Sequence, residues 1–383
     1  MTSTLIARKL YSTLKGQPNL KVRIIMNMVE KIFGYKINYG KAWRAKQRAW
    51  KMIYGDWEVG YEKFPALFNA IKAANLGMHY EYIPEPNVWK EGRYMGTLLV
   101  TISFDADNTL VPLAFALVER ENKDSWGWFL RLVRIHAVGL DREVGVISDR
   151  HQDILSAVQE QIPGYAPLHH RWCTRHLAEN LLRKDGNKNN LPLFEDVARM
   201  TKVQFFEEKL EELKTATDDQ GRQWLRELMR ERDKWTMAYD DGGVRYEFQT
   251  SNMVESFNSV LKGIRGMHVN AIVSFTFYRL VAWFNERYSH AMALHSKNQL
   301  WAPKPLHHLD KAKDRARTHE VECFDHTTGK YKVTERGDTT SNGKVRPSRS
   351  YIVVLINFSC TCGRTRQYHF PCSHYVAAAQ LCL

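Results

Sequence analysis

Between residues 95 and 180 the chain alternates apolar runs of strand length with helical patterns, and this order constrains its fold more than any other feature. Residues 97–104, TLLVTISF, have the length and β-branched content of a strand. The polar DADN at 105–108 has turn composition, and LVPLAFALV at 110–118 supplies the returning strand of a hairpin. Over 124–138, Trp126, Phe129, Leu130 and Val133 recur at helical spacing. Residues 144–148, VGVIS, are too apolar for a strand wetted on one face and predict a buried one. That strand runs out into Asp149. A helix over 151–162 follows, then a short strand, LHHRW, leading into CTRHLAENLLRK. Such an order implies a mixed α/β core. An acid at the end of a buried strand lies at the open rim where ligands bind, although an Asp before a helix also serves as its cap.

The flanking segments read differently. Ile6, Leu10 and Leu14, then Val22, Ile25, Met26, Val29, Ile32 and Phe33, continue one apolar stripe through a helical N-terminal region. Trp43 and Trp50 stand seven apart among Lys41, Arg44, Lys46, Arg48 and Lys51. The expectation is that the indoles are core and the cations solvated, while a basic aromatic helix that touches phosphates is the alternative. A third helix includes FPALFNAIKAAN, and the prolines and glycines of HYEYIPEPNVWKEGRYMG mark a linker. Residues 187–241 interleave acids and bases without a lasting heptad and predict a surface-exposed helical insertion. A capped helix carrying Glu255 and a long aromatic helix over 270–295 come next. Beyond Pro305, alternating strands and a closing CSHYVAAAQL helix suggest a separate small β-rich module.

A net charge of +13 in 383 residues favours polyanionic partners, nucleic acid above all. The cations are scattered, so composition locates no groove. No apolar stretch approaches the ~20 residues of a membrane span, and the N-terminal residues lack a secretory signal. Three of the 6 cysteines cluster near the C-terminal end, a pattern of intracellular metal sites. Together these features point to a nuclear protein.

Cys360-x-Cys362 and, after nine residues, Cys372-x-His374 carry the stronger chemistry. Thiolates at i and i+2 project from one side of a strand end, and a hairpin followed by a helix brings four ligands to one tetrahedral point. Three Cys and one His complete the shell of a structural Zn²⁺ and leave no open position for catalysis. His369 and Cys382 are competing donors outside the paired spacing. The spacing resembles the SWIM zinc finger, which implies a DNA- or protein-interaction module. The weaker constellation is acidic: Asp149 and Glu255, brought together at a rim, could hold Mg²⁺ for phosphoryl transfer.

The order TLLVTISFDADNTLVPLAFALVE, ENKDSWGWFL, ISDRH, RWCTRHLAENL, TSNMVESFNSVLKGIR and the C-terminal CxC…CxH resembles a plant Mutator-like (MuDR-type) transposase over nearly the whole chain. The resemblance implies an RNase H-like catalytic domain with an Asp-Asp-Glu triad. Asp149 then matches the second Asp and Glu255 the Glu, while Cys173 and His176 match the family's CxxH element. Relatives carry the first Asp on a strand just before TLLV, in a segment like IDGTHLxGKYxGTLL. Here PEPNVWKEG runs directly into RYMGTLLV, so that strand and its Asp are expected to be missing by internal deletion. Asp105 and Asp107 are the nearest substitutes. No Cys/His cluster precedes the helical region, so an N-terminal truncation is expected too.

The expected architecture is therefore α/β: an incomplete RNase H-like core over 95–295 with its helical insertion at 187–241, preceded by an all-α region at 1–85 and followed by a zinc module at 316–383. The expected function is that of a transposase-derived, zinc-binding, DNA-associated nuclear protein without a membrane role, inactive in strand cleavage and transfer. Two alternatives are a domesticated transcriptional regulator, similar to the far-red-response factors, and an active Mg²⁺-dependent transposase in which another acid completes the site. Magnesium is a cofactor only in that last case.

Overall fold

The computed structural model describes residues 2–17, 20–55, 62, 64–83, 89–90, 93–94, 96–160, 162–254, 257, 269–339 and 345–382. They form two compact units. One comprises Met1–Ile102, Pro112–Glu121 and Met253–Gln299; the other comprises Ser103–Val111, Asn122–Asn252 and Leu300–Leu383.

In the first unit, α1 (Ser3–Gly16), α2 (Val22–Phe33), α3 (Tyr39–Tyr54) and α4 (Phe64–Ala74) account for the N-terminal apolar stripes. Thr2 and Asn38 cap α1 and α3 by accepting from the amides of Leu5 and Lys41, donors that a free helix end leaves unpaired. Ile6, Leu10 and Leu14 of α1 and Ile25 and Val29 of α2 pack with Ala42, Ala45 and Ala49 of α3, all buried. The alanines let neighbouring helices approach closely without leaving a void. Trp50 is core, as expected, but so is one of the cations around it. Lys46 is buried, donates from Nζ to Leu20 O at 2.6 Å and lies 4.5 Å from the Trp50 ring centroid. Burial pushes its amine down to about 8. Two-residue strands β1 (Trp89–Lys90) and β2 (Arg93–Tyr94) pair antiparallel, and the hairpin β3 (Thr97–Phe104) with β4 (Leu110–Val118) follows, its tip at Ser103–Val111 counted with the other unit. The aromatic helix α11 (Val269–His295) contributes Trp283, which meets Phe257 edge-on at 5.5 Å.

The second unit is built around a parallel pair, β5 (Val144–Ser148) and β6 (Leu168–Trp172), in register from Val144↔Leu168 to Ser148↔Trp172. Helices α5 (Lys123–Leu132) and α6 (Gln152–Gln159) bury Leu130, Ile154, Ala157 and Val158 beside Val146 and Leu168. After β6 come α7 (Thr174–Asp185), α8 (Asn190–Arg199), α9 (Val203–Ala216) and α10 (Asp219–Leu228).

The charged segment 187–241 is less of a surface excursion than its composition suggests. Its acids and bases pair along the outer faces, as Lys209 does with Glu212 and Arg199 with Glu195. Its inner faces bury Phe194, Phe206, Leu210, Leu213, Leu225 and Trp235 together with Trp172, Leu177 and Leu181. Phe194 stacks on Trp235 at 5.1 Å and Phe206 leans on the same indole at 5.9 Å, contacts worth about 0.5–1.5 kcal/mol each beyond the area they bury.

Helix α12 (Pro303–Ala316) leads into β7 (His319–Asp325), β8 (Lys330–Glu335), the short ladder of β9 (Asp338–Thr339) with β10 (Val345–Arg346), β11 (Arg349–Val354) and β12 (Ser359–Cys360). The sheet order is β12-β11-β8-β7, antiparallel throughout, and α13 (Arg364–Tyr368) and α14 (Ser373–Cys382) close the chain. Period-two alternation puts Tyr331, Val333, Tyr351 and Val353 under α14.

The architecture is thus mixed helix and sheet with small sheets. Among the described residues β3–β4 and β5–β6 are separate two-stranded ladders rather than parts of one RNase H-like sheet. No described helix is long and apolar enough to cross a membrane.

Candidate functional site

Four side chains converge at the C-terminal sheet. β12 pairs Cys360 with Val353 of β11, which fixes its side-chain direction. One residue on, Thr361 donates its amide to Ile352 O and its hydroxyl accepts from Ile352 N, both at 2.9 Å, so the turn carrying Cys362 is tied down. Cys372 precedes α14, whose first-turn amide on Tyr375 points at its sulfur from 3.4 Å, and His374 lies in that same turn.

The ligand atoms of Cys360, Cys362, Cys372 and His374 all lie within 4.8 Å of one another, and each residue is at most 8% exposed. His374 presents Nδ1, 3.7 Å from Cys360 Sγ and 3.8 Å from Cys372 Sγ. Zinc bonds of ordinary length meeting at the tetrahedral angle separate such a nitrogen and sulfur by about 3.6 Å. The donor set, its burial and its spacing therefore fit a Zn²⁺ ion. Hydrogen bonds from Cys360 and Cys362, with His374 and the Tyr375 amide, hold Cys372 well below the usual thiol range; the same exchange with Cys362 and Cys372, reinforced by burial, pushes Cys360 up. Burial would lower His374, but its bonds to Cys362, Cys372 and Glu335 raise it to about 11. Zinc binding would require the three thiols and the imidazole to give up their protons to the metal.

The sequence reading missed the groups behind His374. Its Nε2 lies 3.4 Å from Glu335 Oε1, an ion-pair distance longer than a good hydrogen bond. The imidazole is also sandwiched between Tyr351 at 4.0 Å and His319 at 5.0 Å, and His319 Nε2 bonds to Ser373 Oγ at 2.9 Å. Glu335 continues the inward face of Tyr331 and Val333, and a carboxylate on the buried face of a strand was the available signal. Such a carboxylate fixes the ring orientation of a ligating histidine. Glu335→Ala is expected to weaken zinc affinity about 10–100-fold, measured by competition with a chromophoric chelator, with Glu335→Gln in between. Of the two competing donors, His369 bonds instead to Gly243 O at 3.0 Å and stacks on Tyr246, and Cys382 lies 2.6 Å from the Tyr331 hydroxyl.

At the end of β5, Asp149 is half-buried, and its Oδ1 accepts from the His151 amide at 3.1 Å, a turn at the start of α6. Ser148 Oγ meets His170 Nε2 at 2.8 Å across the strand pair. Burial, then Lys234, Arg171 and Arg245, push His170 down to about 4 against the opposing effect of Asp149. Glu255 lies outside the described residues, and no group of three or more close Cys, His, Asp or Glu ligands among the described residues includes Asp149. Asp105 caps its own turn by accepting from the amides of Asp107 and Thr109, and Asp107 accepts from the Lys304 amide at 2.9 Å.

Cys173 and His176, one turn apart at the start of α7, do have a local role. Cys173 is buried, its amide donates to Ser148 O at 2.7 Å, and its sulfur accepts from the Ser251 amide at 3.3 Å. Burial would raise the thiol, but hydrogen bonds from His176 and Ser251 bring it down to about 7. Thr174 grips the same segment through its amide and hydroxyl, both donating to Gln249 O, and Arg175 bonds Asn252. The CxxH turn thus fastens residues 249–252 to the end of β6.

Residues 86–180, about a quarter of the chain, match the MULE transposase domain, a stretch that includes β1 to β6, Asp149, Cys173 and His176. That match supports a Mutator-like transposase origin. No curated protein matches the chain.

Proposed function

We propose that this chain is a transposase-derived, zinc-binding nuclear protein that associates with DNA and no longer cuts or joins strands. The observation that carries the loss of chemistry is the occupation of the acids nearest the absent first Asp. Asp105 and Asp107 each hold backbone amides through Oδ1, Asp105 within its own turn and Asp107 at Lys304, which supports fixing roles for them over a shared two-metal site. Asp149 and Glu255 are then remnants of the Asp-Asp-Glu triad. Cys360, Cys362, Cys372 and His374 are the zinc ligands of a SWIM-type module within 316–383. Residues 1–85 form its helical region and 95–295 the reduced catalytic domain, with 187–241 as insertion. The charge of +13 supports contact with phosphates rather than base edges.

The test uses the purified full chain with duplexes of two unrelated sequences, in the presence of Mg²⁺ or Mn²⁺. The expected result is no nicking or joining, equal affinity for both duplexes, and a loss of ~10³-fold or more in affinity between about 50 and 200 mM salt. Metal-dependent cleavage that disappears in Asp149→Asn would overturn the proposal.

A further inference from the structure

We infer that the zinc ion has a second job: it clamps residues 240–251, the segment that covers the ends of β5 and β6, onto the strand that runs into Asp149. This rests on the zinc reading above but goes beyond it, because a zinc finger that only binds a partner need not touch the transposase-like region.

The nine residues between the two ligand pairs form α13 and its flanks, and they are the docking surface. Gln367, fully buried, donates from Nε2 to Asp240 O at 2.9 Å, and its own carbonyl accepts from the Glu247 amide at 3.2 Å. His369 reaches Gly243 O and stacks on Tyr246 at 4.1 Å. Just before α13, Cys362 O accepts from Thr201 Oγ1 at 2.9 Å. Gly243 has φ +65°, and a Cβ there would meet Arg366 O at 2.0 Å, so backbone lies directly on backbone.

The opposite side of the segment presses on the strand pair. A Cβ on Gly145 of β5 would lie 2.0 Å from Val244 O. Arg245 donates to Trp172 O at 3.0 Å, and the CxxH turn holds Gln249 and Ser251 as described. Residues 240–251 are therefore a layer between the zinc hairpin and β5–β6. The hairpin contains only a five-residue helix and a two-residue strand, too little regular structure to hold its shape without the metal.

Hydrogen exchange of the full chain, zinc-loaded and after chelation, tests this with zinc content measured on the same samples. Chelation is expected to speed exchange of the Glu247 and Ser251 amides about tenfold or more while amides of α8–α10 keep their protection. In Gly243→Ala, zinc is expected to stay bound while the same amides lose protection, because the clash breaks the dock from the other side. Unchanged protection of 240–251 in the zinc-free chain, or in Gly243→Ala, overturns the inference. A chain that takes up no zinc at all instead defeats the zinc reading on which the inference rests.

Discussion

Replacing Cys362 with serine is expected to cut bound zinc from about one ion per chain to a small fraction of that, and to unfold the C-terminal sheet and helix. Serine keeps the volume but offers a hydroxyl that stays protonated near neutral pH, where a thiolate is needed. The remaining donors would be two thiols and one imidazole, and the two extra donors near the ligand pairs are engaged elsewhere: His369 bonds to Gly243 O, and Cys382 sits beside Tyr331. Structural zinc in small modules contributes on the order of 10–16 kcal/mol of binding energy that is also folding energy. The apolar cluster of this sheet is modest, with Tyr331, Val333, Tyr351 and Val353 under Val376, Ala377 and Ala378. It cannot replace a term of that size. Zinc quantification by mass spectrometry and far-ultraviolet circular dichroism would check both halves of the expectation. Cys382→Ser serves as the control and should keep full zinc. If Cys362→Ser retained stoichiometric zinc, the four-ligand assignment would fall.

The parts of this molecule legible in its sequence are those where a side-chain period or a ligand spacing carries the information. Tyr331/Val333 and Tyr351/Val353 alternate as strands must, and the CxC…CxH spacing singles out the four side chains that the fold then brings within 4.8 Å of one another. The hairpin turn at Asp105–Asn108 and the helical stripes at Ile6, Leu10 and Leu14 were readable for the same reason. What escaped is set by contacts between segments far apart in the chain. Lys46 looks like one more solvated cation on a basic helix until Leu20 O and the Trp50 ring are found against it. Glu335 reads as the polar end of a strand until His374, 39 residues later, arrives beside it. The charged run over 187–241 looked like an exposed insertion because its pairs are local, at three and four residues apart. Its Phe and Trp residues, spaced more widely, form a core that no short window displays. The dock of α13 on residues 240–247 was the least visible of all, since it is made mainly of backbone carbonyls and amides, which every residue possesses.

Replacing Asp240 with asparagine is expected to destabilise the second unit by about 3–5 kcal/mol, the usual cost of stranding a buried charge. Asp240 is completely buried, and its Oδ1 accepts from Arg171 Nε at 2.8 Å and Nη2 at 2.6 Å. A second buried guanidinium, Arg245, lies close enough to feel both; burial first, and then Arg171, lower it to about 10 while Asp240 supports its charge. Two buried cations thus share one carboxylate. Asparagine preserves the shape and a carbonyl acceptor but removes the carboxylate charge that supports both, so the two arginines are left to repel one another in a medium of low polarity. The effect should therefore exceed that of losing one hydrogen bond, about 1 kcal/mol. Urea unfolding followed by hydrogen exchange of amides in α7–α10, whose inner faces pack around Trp172 and Trp235, reports on this unit. Asp241→Asn, one residue on and exposed, should leave the midpoint in place. Arg171→Met in the Asp240→Asn background should recover part of the loss, because it removes one of the two repelling charges. Equal stability of Asp240→Asn and the parent chain would mean that the buried arginines are neutralised by something other than Asp240, and the electrostatic account of this layer would have to be abandoned.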